Sequence, residues 1–164
     1  MRIPRLRRPD SQVIRLKGTV IIEVRDRSGR TILRRVLPNV ITNVGKAQVA
    51  GLINGVVTTP FRYIAIGDGS ASNPGSCAAE SASDTALGHE VARQQASVSR
   101  TTTNVTNDTA VWEATFTANA TWQICESGIF DAASGGNMLA RKTFSTVTLY
   151  SGDQLYIQWK VTVS

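Results

Sequence analysis

His89 is the only histidine in 164 residues, and it stands directly before Glu90. An imidazole, with an ordinary pKa of about 6.5, suits general-base work when a nucleophile and an orienting group lie within hydrogen-bond reach. No serine here sits in a Gly-x-Ser-x-Gly elbow. His89 therefore reads as a structural histidine, with a hydrolase centred on it as the remote alternative. One histidine excludes a metal site built on two or more imidazoles, and two cysteines cannot close a four-cysteine zinc site. Asp68, Asp84 and Glu90 could offer oxygens to calcium, but their spacing matches no EF-hand loop. Gly67-Asp68-Gly69 lacks the Gly-Lys-Ser/Thr that a phosphate loop needs, and reads as the turn ending a strand. The expectation is no enzyme, with no catalytic, cofactor-binding or metal-binding residue.

The two cysteines carry the remaining chemistry. Cys77 lies among small residues of a loop and Cys125 in a strand-like run. Neither has the positioned base that a catalytic thiol needs. In a reducing compartment they would stay free. In an oxidising medium outside the cell they could pair, within one chain or between subunits.

Charge is unevenly distributed. The net charge is +6, but residues 1–46 hold 12 Lys/Arg against 3 Asp/Glu, and residues 47–164 hold 6 against 9. Such an N-terminal excess suits an acidic partner, protein or nucleic acid. The segment has no aromatic residue on which bases could stack, so a protein partner is the preferred reading. Arg2, Arg5, Arg7, Arg8, Arg15 and Lys17 are the candidate partner-binding residues. No window approaches the ~20 apolar residues of a membrane span, and the basic start lacks the apolar core of a secretory signal.

These groups must be positioned by strands. Residues 1–11, broken by Pro4 and Pro9, read as an extended basic arm, and residues 12–164 as a single β domain. Within it, residues 12–37 read as a basic hairpin turning at Asp26-Arg27-Ser28-Gly29. Residues 42–54 read as the one helix, capped by Thr42 or Asn43 and stopped at Gly55. Gly45 and Gly51 each weaken that helix by roughly 1 kcal/mol relative to Ala, so tertiary packing must hold it. Residues 61–164 supply sandwich strands, with a helical turn expected at Asp84–Gly88 and a hairpin tip at Asn107-Asp108. Trp112, Ala114 and Phe116 alternate, as do Leu155, Ile157, Trp159, Val161 and Val163. Trp112, Phe116, Trp122, Phe130 and Trp159 are the expected core aromatics. About eight strands with regular turns predict a mainly-β fold, a sandwich or open barrel.

Six segments in order complete the pattern: Asn39–Lys46, Tyr63–Gly69, Asp84–Glu90, Ile124–Phe130, Met138–Arg141 and Gly152–Trp159. This ordered set resembles a group of tailed-bacteriophage virion proteins, labelled head decoration (cement) or tail-fibre-like, over roughly residues 36–164. Against many of these relatives, residues 73–83, with Cys77, look like an insertion. The resemblance implies a non-enzymatic virion structural protein without cofactor, assembled in the host cytoplasm. The role ranked first is a capsid decoration protein that binds the major capsid protein and stabilises the head, as a homotrimer. The alternative is a tail-fibre or baseplate component. From another class comes a nucleic-acid-binding module using residues 2–35.

Overall fold

The computed structural model describes residues 12–164. The basic arm, with Arg2, Arg5, Arg7 and Arg8, lies outside the described residues. Ten strands and one helix follow one another as β1 (Leu16–Arg25), β2 (Thr31–Pro38), β3 (Val40–Ile41), α1 (Asn43–Asn54), β4 (Tyr63–Gly67), β5 (Glu90–Gln95), β6 (Ser97–Thr101), β7 (Thr109–Thr117), β8 (Trp122–Phe130), β9 (Met138–Leu149) and β10 (Gln154–Val163). They form two open five-stranded antiparallel sheets, ordered β2-β1-β10-β7-β6 and β3-β9-β8-β4-β5. The arrangement is a sandwich and not a closed barrel.

Period-two alternation builds the core. In β10, Leu155, Ile157, Trp159 and Val161 turn inward, and opposite them stand Val20 and Ile22 of β1 and Trp112, Ala114 and Phe116 of β7. Ile64, Ile66, Ile124 and Ile129 meet them from the second sheet. The buried indoles find polar partners, as buried Trp requires. Trp112 Nε1 donates to the Phe61 carbonyl at 2.8 Å and Trp159 Nε1 to Ser127 Oγ at 3.2 Å.

Two expectations change, at Asp84–Gly88 and at Trp122. Residues 90–101 divide into two strands, β5 and β6, because at Ala96 the chain crosses between sheets and its N–H donates to the Arg62 carbonyl. Asp84–Gly88 contains no helical turn: the Asp84 carboxylate accepts from the Ser81 N–H behind it and from Arg141. Trp122, at the start of β8, is only half-buried. Phe130 is buried as expected, on the far face of the second sheet, in a second core cluster with Ala65, Leu87 and Met138.

α1 is entered as its sequence signals require. Thr42 is the N-cap, its side chain accepting from the Gly45 N–H at 2.9 Å, and Gly55 closes the helix in the left-handed region. Gly45 is needed for contact: a Cβ there would stand 2.7 Å from Leu139 Cα. The weak helix is thus held against β9 at a distance only glycine permits.

Candidate functional site

Two surfaces carry the residues singled out by sequence. The first is the far face of the second sheet, over which residues 68–89 are strapped. Arg141 of β9 is the centre of the strap. Its guanidinium donates to Glu126 of β8 at 2.6 and 3.0 Å, to Asp84 at 2.7 Å and to the Ala78 carbonyl at 3.2 Å. Burial opposes the charge on Arg141, but the hydrogen bonds to Asp84 and Glu126 outweigh it and its pKa is raised. The other oxygen of Glu126 accepts from the His89 N–H at 3.2 Å. Arg141 thereby ties the strap's middle to the sheet, and Glu126 its end. Gly67 leaves the room: a Cβ there would meet Glu126 Cγ at 2.9 Å.

Glu80 is a second anchor, accepting from Lys142 Nζ and from the Thr143 hydroxyl and N–H. Burial works against its ionisation, but the bonds from Lys142 and Thr143 prevail and lower its pKa to about 2. The third anchor is covalent. Cys77 and Cys125 of the same chain are joined, their Cα atoms 5.9 Å apart, within the span a disulfide bridges. Leu87 is the apolar anchor, in the cluster with Ala65, Phe130 and Met138.

The three carboxylates weighed as calcium ligands go to three different side-chain partners. Asp68 meets His89 Nδ1 at 2.6 Å, Asp84 meets Arg141, and Glu90 pairs with Arg93 at 2.6 Å. His89 is thus tied to Asp68, and among the described residues no hydroxyl hydrogen-bonds its ring. What this face does chemically is fix a loop. Sequence reasoning missed Glu126, Arg141, Glu80 and Lys142. The available signal was one acid and one base in neighbouring apolar strands, Glu126 in β8 and Arg141 in β9.

The second surface is the basic one. Arg15, just before β1, and Lys17, within it, are exposed. Arg15 exchanges both backbone hydrogen bonds with Ser164, and Lys17 stands opposite Thr162. The hairpin arginines that follow are mostly engaged within the chain. Arg25 and Arg34 pair with Glu23, Arg30 pairs with Asp26, and Arg27 and Arg35 donate to the Ser151 and Ser145 carbonyls. Arg25 also lies 4.8 Å from the Tyr156 ring centre, and the Tyr156 hydroxyl donates to Glu113. A cross-strand polar band therefore runs over the outer face of the first sheet, through β2, β1, β10 and β7.

Residues 42–162 match a protein family described as Podophage GP4 fiber I protein gp80. No curated protein and no solved structure matches the chain. The family match opens at the N-cap of α1 and closes within β10, so it takes in the helix, the strapped face and the strands from β4 onward. With that much of the chain matched, this protein belongs to the Podophage GP4 fiber I protein gp80 family, a family of structural proteins of the tailed-phage virion.

Proposed function

We propose that the protein is a fibre-type component of a phage tail, a framework subunit that acts by holding shape and docking neighbours. The family match carries this reading, since it spans the helix and most of the sandwich. The geometry supports it: the long loop is fastened by a disulfide, a buried ion pair and a second ionic anchor. The basic N-terminal segment, Arg2, Arg5, Arg7 and Arg8 with Arg15 and Lys17, is the part we assign to contact with an acidic neighbouring protein. Assembly as a homotrimer belongs to the same proposal.

Immunogold labelling of purified particles, with densitometry of the band, tests it. Label at the tail and a copy number of a few to tens, as an axial assembly requires, supports the fibre role. Label spread over the head with hundreds of copies would instead establish the decoration role. Binding to duplex DNA that weakens steeply with salt would favour the nucleic-acid module.

A further inference from the structure

A surface helix ordinarily turns charged residues to water. α1 does not. Its exposed stripe is Asn43, Lys46, Ala47, Ala50, Ile53 and Asn54, with one charge, and Ile53 is 74% exposed. Beside it runs the segment entering β1, where Ile14 is 69% exposed. Between them lies a groove of about 480 Å³, walled by Ile14, Leu16, Val49, Ala50 and Ile53. Arg15 and Lys46 also line it. Contiguous apolar exposure of this kind marks a docking surface.

Charge decides the occupant. Between Asp26 and Asp68 the sequence has no Asp or Glu, and none lies between Asp10 and Glu23. The groove's cations therefore have no acidic neighbour along the chain segments that build it. The chain's own arm carries four arginines against one aspartate, the wrong sign to be held between Arg15 and Lys46. A second copy is the poorer match, because each Asp and Glu of the described residues already accepts a hydrogen bond within its own chain. Two such grooves facing each other would also oppose like charges.

We propose that the groove between α1 and the start of β1 docks an apolar segment flanked by Asp or Glu, contributed by a different virion protein. Its apolar side chains lie between Ile14 and Ile53, and its carboxylates meet Arg15 and Lys46. The small Ala47 and Ala50 let the partner's backbone approach α1 closely. This inference rests on the virion reading above and names the surface through which the basic segment's partner is held.

The test is photo-cross-linking in whole particles. The full chain is produced during infection with p-benzoylphenylalanine at Ile53, or at the equally exposed Val105 as control, and adducts in purified virions are sequenced. The expected adduct from Ile53 is a peptide of another virion protein with Asp or Glu within a few residues, not formed from Val105. Lys46→Glu and Ile14→Ser/Ile53→Ser chains, which alter exposed groups and should melt like the parent, should enter particles at least tenfold less well. Adducts to a second copy, to residues 1–11, or to a peptide without carboxylates would overturn the proposal. So would no adduct from a chain that is present, or normal incorporation of the folded variants. A chain absent from purified virions would instead refute the virion reading, and this inference with it.

Discussion

Arg141 and Glu126 face each other across β9 and β8 through two hydrogen bonds to one carboxylate oxygen, and Glu126 is wholly shielded from water. Such a pair is not evidence of stability by itself, because burying both charges offsets much of their attraction. Its consequence appears when one partner is removed. Arg141→Ala leaves the Glu126 charge buried and Asp84 without its cation, and should destabilise the fold by about 3–5 kcal/mol. Urea unfolding measures this. An Arg141→Met/Glu126→Gln double variant should recover part of the loss, since it removes the orphaned charge.

The disulfide links residues 48 apart in sequence. In the chain-entropy account, closing a loop of that size restricts the unfolded chain enough to stabilise the fold by ~4 kcal/mol. Cys77→Ser/Cys125→Ser should lower the urea midpoint accordingly, and a non-reducing gel of the parent should show a fast-migrating monomer. A ladder of disulfide-linked oligomers would show that the bond joins subunits instead.

Acid should loosen the strap through Glu80. Its folded pKa is about 2, below the ordinary value of 4.5, so the folded state binds fewer protons than the unfolded chain. The stabilisation from Glu80 is present above pH 4.5 and fades as pH falls toward 2. Asp108 acts in the same direction: N–H groups of Val105, Asn104 and Thr103 depress its pKa. In Glu80→Gln the fall of melting temperature between pH 4.5 and 2 should be shallower than in the parent.

Alkali should act through Tyr156. Burial and the acceptor Glu113 raise its pKa to about 12 from 10.0. A raised folded pKa gives stability that is full below pH 10 and lost as pH rises through 12. Tyr156→Phe should remove that part of the alkaline dependence, read by denaturant melts from pH 9 to 12.

Trp159 anchors the sandwich centre, fully buried with its N–H on Ser127. Trp159→Ala should cost about 3–5 kcal/mol by leaving a cavity, or render the chain insoluble. Trp122→Ala, at a half-buried position, should cost distinctly less in the same unfolding experiment.

What is local was legible in the residues. Alternation over Leu155–Val161 and Trp112–Phe116 set those strands and their inward faces, because a strand's side chains have a period of two whatever lies opposite. Thr42 and Gly55 set the ends of α1, since cap chemistry involves only neighbouring backbone groups. The charge asymmetry was also legible, because it needs only counting. Tertiary structure alone decided which elements share a sheet, and so where Phe130 and Trp122 went: burial depends on what covers a face. It decided that Cys77 reaches Cys125, since their separation in sequence left internal and intersubunit pairing equally open. It also set the roles of Glu126 and Arg141, fifteen residues apart on adjacent strands. Their charges became neighbours only when the register of β8 and β9, with its shift between Ile124 and Glu126, was set by packing.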